Sequence, residues 1–205
     1  MDYKKIFVSA ILAGCAIGFG GVVNLVLGGI AGAMFFTVGL FVVCTMGLHL
    51  YTGKVCYVFQ NDKAYALSIP VIWLGNLVGT VAVGTLIRLT RISYFVVYSA
   101  EKICNDKLSD NLVSIFILAA LCNIFIYIGV EGFKTIPHEV GKYVALFLGV
   151  AVFILCSYEH CVANMFYFTV ANAWSVKTVG LLLWMTLGNA VGGVIFPLAR
   201  GYIGK

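Results

Sequence analysis

The chain has 205 residues, 62% of them hydrophobic and only 10% charged, with a mean hydropathy of +1.04. Soluble domains carry roughly a quarter charged residues, so this composition excludes a soluble enzyme, a nucleic-acid-binding domain and a disordered chain, and makes a lipid bilayer the solvent. The net charge of +5 comes from basic residues scattered between apolar runs, where they read as membrane flanks and not as a nucleic-acid patch.

The first apolar run extends from about Ile6 to Leu27. It is too long for a signal-peptide core and lacks a clean cleavage site, so no cleavable signal is expected. Gly28, Gly29 and Gly32 predict a tight turn. A second run from about Ala33 to Met46 is interrupted by Gly47-Leu48-His49-Leu50-Tyr51-Thr52-Gly53-Lys54 and resumes over Val55 to Phe59. Gln60 to Lys63 is a polar loop. The third run covers about Ala66 to Leu89 and ends at Arg88 and Arg91. Ser93 to Asn111 is the most polar stretch, the fourth run is Leu112 to Phe133, and Lys134 to Lys142 is a second polar loop. The fifth runs from Tyr143 to Cys156, breaks at Ser157-Tyr158-Glu159-His160-Cys161-Val162-Ala163-Asn164, and resumes over Met165 to Val170. The sixth runs from Val176 to about Leu198.

These runs predict an all-α integral membrane protein with six transmembrane helices, the second and fifth broken, in a single channel-sized domain over residues 1–205. A crossing takes about 20 apolar residues, which leaves no length for a second domain. With the N-terminus inside, eight Lys and Arg fall on the inner side and five on the outer. The positive-inside rule then places both termini in the cytoplasm of a multi-pass cell-membrane protein. The chain has seven cysteines, most of them inside apolar runs. An odd count without a Cys-x-x-Cys predicts neither a disulfide framework nor a metal site, and no cofactor is expected.

Leu74-Gly75-Asn76-Leu77-Val78-Gly79 and Leu187-Gly188-Asn189-Ala190-Val191-Gly192 share the pattern Leu-Gly-Asn-x-Val-Gly. Each lies in the span after a broken helix. The chain therefore reads as two three-helix halves, about 1–100 and 101–205. Because three is odd, the second half is inverted relative to the first, giving two inverted three-helix repeats and an aquaporin-like protomer. Inverted repeats with discontinuous helices place a binding site near the midplane. Asn76 and Asn189 either hydrogen-bond loose backbone at the breaks or face the pore; the first role is favoured.

Helix breaks in lipid survive only against protein or a water-filled cavity, and ionisable groups there are costly. Glu159-His160 is thus the sharpest functional candidate, since histidine changes charge near neutral pH. Thr52 lies across from it by pseudo-symmetry, so hydroxyl and imidazole can hold a small anion or water. His49 takes the place in the first half that Glu159 takes in the second. Asn123, alone in an apolar run, needs a partner at this centre. Three rivals are weaker. An aquaporin-like pore for neutral solutes wants Asn-Pro-Ala at each break, but Pro70, Pro137 and Pro197 lie elsewhere. A haem site needs His49 and His160 as facing axial ligands. An intramembrane enzyme has only Glu159 and His160 to work with.

The chain resembles the formate/nitrite transporter family of pentameric anion channels. Tyr158-Glu159-His160-Cys161-Val162-Ala163-Asn164-Met165-Phe166 is similar to the family's F-E-H-x-x-A-N-M-F, Leu50-Tyr51-Thr52-Gly53 to its L-F-T-G, Leu121-Cys122-Asn123 to its L-C-N, and Leu187-Gly188-Asn189 with Gly193 to its sixth-span pattern. The resemblance implies a homopentamer with one pore per protomer, passing small monovalent anions with protons: formate first, nitrite or hydrosulfide next. It makes His160 the central pore histidine, Thr52 its opposite, Asn123 a support, and Phe36, Leu40, Leu50 and Phe153 the constrictions. Lys107 falls near an outer vestibule lysine. Two departures stand out. His49 replaces a usual acidic residue, and only five residues precede Ile6, so gating by an amphipathic leading segment is not expected.

Overall fold

The structure is a computed structural model that describes residues 2–204. In chain order it runs α1 (Tyr3–Leu27), α2 (Gly29–Phe36), α3 (Val38–Thr45), α4 (Tyr51–Val55), a 3-10 turn (Val58–Gln60), α5 (Lys63–Arg88), α6 (Ser93–Ser109), α7 (Leu112–Thr135), α8 (Glu139–Leu155), α9 (Cys161–Val170) and α10 (Val176–Ile203). Four of these, α1, α5, α7 and α10, are apolar helices of 24 to 28 residues. At 1.5 Å per residue they reach about 36 Å or more, enough to cross the hydrocarbon core. Each starts on a polar side chain that caps free backbone N–H groups: Asp2, Asp62, Asn111 and Ser175.

α1 packs along α5, and α7 along α10. The repeated Leu-Gly-Asn-x-Val-Gly explains why both pairs are close. A Cβ at Gly79 would strike the Ile11 carbonyl, and one at Gly192 the Ala120 carbonyl. Glycine at these two positions lets the backbones touch.

The asparagines of the same motif hold the breaks. Asn76 Oδ1 accepts from the Tyr51 N–H at 2.8 Å, and its Nδ2 donates to the carbonyls of Ala10 and His49 at 2.8 and 2.9 Å. Asn189 Oδ1 accepts from the Cys161 N–H at 2.9 Å, and its Nδ2 donates to the carbonyls of Ala119 and Glu159, both at 2.7 Å. Both asparagines are fully buried and spent on backbone, so neither faces a pore.

The helices before the breaks also end alike. After α3, Gly47 takes φ +64° and the Leu48 N–H reaches back to the Val43 carbonyl at 2.9 Å. After α8, Ser157 takes φ +54° and the Tyr158 N–H reaches the Phe153 carbonyl at 2.9 Å. Both are left-handed helix stops of the Schellman type, and Ser157 occupies a conformation that glycine holds more cheaply.

Several boundaries differ from the sequence expectation. The breaks are shorter, because Leu50 and His160 are extended N-cap residues and helix resumes at Tyr51 and Cys161. The turn after α1 uses only Gly28 and Gly29, both at positive φ, while Gly32 lies inside α2. The second run is divided at Thr37 into α2 and α3, although Thr37 keeps helical backbone angles. The polar stretch after α5 folds as α6, packing Val96, Ala100 and Cys104 inward. α8 begins at Glu139, so the second polar loop shrinks to residues 136–138.

Replacing Asn189 with Ala strands the Cys161 N–H and the Glu159 carbonyl in a dry interior, at about 1–3 kcal/mol each. The expected result is a loss of roughly 3 kcal/mol in unfolding free energy, measured by denaturant titration in detergent.

Candidate functional site: a closed passage between two cavities

The two breaks bring α4 and α9 face to face. Thr52 Oγ1, in the first turn of α4, lies 3.1 Å from His160 Nε2, and both residues are buried. His160 caps α9: its Nδ1 accepts the Ala163 N–H at 3.1 Å. With Nδ1 used as acceptor, the proton of the neutral imidazole sits on Nε2 and is donated toward Thr52 Oγ1. Asn123 stands behind this pair and donates from Nδ2 to the Thr52 carbonyl at 3.1 Å, leaving its buried Oδ1 without a partner among the described residues.

Two cavities approach the pair. One, of about 220 Å³, is lined by Asp106, Lys107, Asp110, Phe153, Glu159 and His160. The other, of about 130 Å³, is lined by Leu40, Leu50, Lys54, Val130, Phe133 and Lys134. Apolar side chains separate them. The Phe153 ring stacks on the His160 imidazole at 5.4 Å, and Phe36 meets Phe153 edge-on at 6.1 Å. Leu40 and Leu50 wall the second cavity, and all four of these side chains are almost fully buried.

Lys107 lines the first cavity as an ion pair, not as a free cation. Its Nζ lies 2.6 Å from Glu159 Oε2, with side-chain exposures of 11% and 4%. Asn164 Nδ2 donates to the same oxygen at 2.6 Å. His49 lies apart from this group. Its Nδ1 is 2.8 Å from Ser9 Oγ, and its N–H donates to that hydroxyl at 3.1 Å. It lines neither cavity.

The structure thus brings His160, Thr52, Asn123, Phe36, Phe153, Glu159 and Lys107 around one centre. Leu40 and Leu50 close the approach on the second side. Asn76 and Asn189 act one layer out, on the backbone of the breaks. Sequence reasoning missed Asn164, whose place five residues after Glu159 in the same motif was the available signal. It also missed the pairing of Lys107 with Glu159, 52 residues apart, for which the sequence holds no signal.

A multi-pass helical protein with an apolar exterior and two cavities closed from each other around a buried histidine has the build of a membrane channel. Comparison with known proteins narrows the class. The family model "Formate/nitrite transporter" matches residues 1–202. The nitrite transporter NirC of Salmonella typhimurium is 30% identical over 225 residues, covering 96% of this chain and 81% of the relative. A probable formate transporter of Methanothermobacter thermautotrophicus is 28% identical, covering 94% and 85%. Among solved structures, one described as an FNT family ion channel superposes with a TM-score of 0.85 at 27% identity, covering 100% of this chain and 92% of the other. A pentameric formate channel with formate bound gives 0.83 at 24%, covering 98% and 96%, a likeness of fold. The chain belongs to the formate/nitrite transporter family. It is a transport protein and not an enzyme.

Breaking a buried pair from one side leaves an uncompensated charge, which costs about 3–5 kcal/mol. Lys107→Met is therefore expected to destabilise strongly, and Lys107→Met with Glu159→Gln to recover most of the loss. A double-mutant cycle by denaturant titration in detergent checks this.

Proposed function

We propose that the protein is a homopentameric channel in which each protomer passes small monovalent weak-acid anions together with a proton. Formate is the first candidate, with nitrite and hydrosulfide next. In this reading α2–α3 with α4, and α8 with α9, are the second and fifth of six spans. The two halves are inverted repeats, and both termini are cytoplasmic. The matching asparagine bonds and left-handed stops at the two breaks support the repeat. The name of the pentameric structural neighbour supports the assembly. The names of the relatives support formate and nitrite as cargo.

The observation that carries the reading is the His160–Thr52 pair, buried between the two cavities and flanked by apolar rings and leucines. Moving a bare carboxylate into such a dry segment costs on the order of 20 kcal/mol by the Born argument. Protonating a carboxylate of pKa about 4 at pH 7 costs only about 4 kcal/mol. The neutral acid therefore wins as the species that crosses the seal.

A neutral imidazole donates a hydrogen bond from Nε2 but has no spare proton to give. The proton accordingly comes from the acidic bulk solution, relayed as hydronium through the cavity water so that no hydroxide is left behind, while His160 Nε2–H and the Thr52 hydroxyl bind the oxyanion as it is neutralised. Both groups then fall back on each other, as they stand at 3.1 Å.

In proteoliposomes, formate influx is expected to rise by up to tenfold per unit of external acidification above the substrate's pKa. His160→Phe removes the donor and the cap, and proton-linked flux should be abolished. Normal flux in that variant, or flux of glycerol with no anion, would sink the proposal.

A further inference from the structure

A threonine inside a helix ordinarily returns its hydroxyl to the carbonyl four residues before it. Thr45, Thr80, Thr135, Thr169 and Thr186 all do so, at 2.7 to 2.9 Å. Thr37 does not. It is fully buried, and its Oγ1 has no hydrogen-bond partner among the described residues. A stranded hydroxyl in a dry interior destabilises the fold, so the position calls for a reason beyond packing. Among the described residues the one other buried side-chain atom in this state is Asn123 Oδ1, on the amide that bonds the Thr52 carbonyl.

The helix register shows where this hydroxyl lies. Thr37 keeps helical backbone angles, and the Phe41 N–H bonds its carbonyl at 2.9 Å, so the register runs on from α2 into α3. Leu40 and Cys44, three and seven residues on, line the smaller cavity. Residues at that spacing share one helix face, which places Thr37 on the cavity stripe one turn beyond Leu40, at the level of Phe36. Gly39 presses on α1, where a Cβ would meet the Ala16 carbonyl at 2.9 Å, so Thr37, two residues before it, is turned away from α1. Phe36 meets Phe153 and Phe41 meets Tyr143, both on α8. The hydroxyl thus sits in the seam between α2–α3 and α8, level with the apolar barrier that Phe36, Leu40 and Phe153 form between the cavities.

We infer that Thr37 is a substrate-contacting, specificity-determining residue, whose hydroxyl hydrogen-bonds a neutral oxyacid inside the barrier and so favours formic and nitrous acid over hydrogen sulfide. An oxyacid carries a hydroxyl donor and an oxygen acceptor, and in an apolar passage both lose their water at a cost. A threonine hydroxyl donates and accepts, so it offers either group a partner. Hydrogen sulfide, like a thiol, is a weak donor and a weak acceptor, and gains little from that partner. The same hydroxyl therefore lowers the barrier for one class of cargo and hardly for the other. The inference rests on the weak-acid reading of the passage and names the selectivity within it.

Thr37→Val tests this, because it removes the hydroxyl and keeps the shape. The full-length protein in proteoliposomes is given sodium formate, nitrite or hydrosulfide at one pH, and the initial influx of each is taken after subtraction of protein-free liposomes. Ratios within one preparation cancel differences in protein amount and folding. The formate-to-hydrosulfide and nitrite-to-hydrosulfide ratios are expected to fall about tenfold in Thr37→Val and to return in Thr37→Ser, which restores a hydroxyl. The melting temperature of Thr37→Val in detergent should match or exceed that of the wild type, since a stranded polar group has gone. Unchanged ratios in a conducting Thr37→Val variant, or loss of all three fluxes alike, would overturn the inference and leave the channel reading standing. Where the wild type passes no hydrosulfide, formate flux decides: it falls about tenfold in Thr37→Val and recovers in Thr37→Ser, and an unmoved flux overturns the inference. A wild-type protein that passes none of the three would overturn the channel reading, and this inference with it.

Discussion

Backbone that stops being helical in mid-membrane has no water to bond, and everything distinctive about this protein follows from how that debt is met. Each stranded group costs a few kcal/mol in hydrocarbon. At both breaks one carboxamide settles several of them at once, because an amide side chain carries an acceptor and two donors on one plane. Asn76 and Asn189 reach across from the neighbouring long helix, take the N–H of the residue that restarts the helix, and bond the carbonyl two residues before it. This works only if the two helices are in near contact, which is why a glycine follows each asparagine three residues on. The break, the amide and the glycine form one device, used twice.

Because the breaks are held from behind, their front faces are free to differ. In the second half the N-cap residue is His160, whose ring both caps α9 and faces Thr52. In the first half the corresponding residue is Leu50, whose side chain has no hydrogen-bonding capacity and serves as part of the seal. Two matching breaks therefore carry an asymmetric centre, with one polar lip and one apolar lip. Hydrogen-bond donors face the narrow region from one lip and only hydrocarbon from the other.

The parts of this arrangement that are local in sequence were legible there. The long spans follow from apolar runs of the right length, and the asparagine motif and both breaks stand out because polar residues interrupt those runs. The cap role of His160 blurred one boundary, since a residue that looks like part of a polar gap is in fact the first turn's acceptor. The division at Thr37 was illegible because it falls inside a continuous apolar run, with Thr37 itself still in helical backbone. Likewise α6 reads as a polar stretch because only one narrow stripe of it, Val96, Ala100 and Cys104, meets the core. The pairing of Lys107 with Glu159 was out of reach for the same reason, as it depends on where that stripe docks.

The same comparison of halves explains the charge asymmetry of the cavities. At the residue before the N-cap, the second half carries Glu159 and the first carries His49. The Glu159 carboxylate turns into its cavity and neutralises Lys107. His49 turns away, bonded to Ser9 on α1. Glu131, on α7, pairs with Arg200. Among the described residues, neither lysine that faces the smaller cavity has a carboxylate within 4.0 Å. The two cavities therefore differ in charge, with carboxylates lining one and lysines the other.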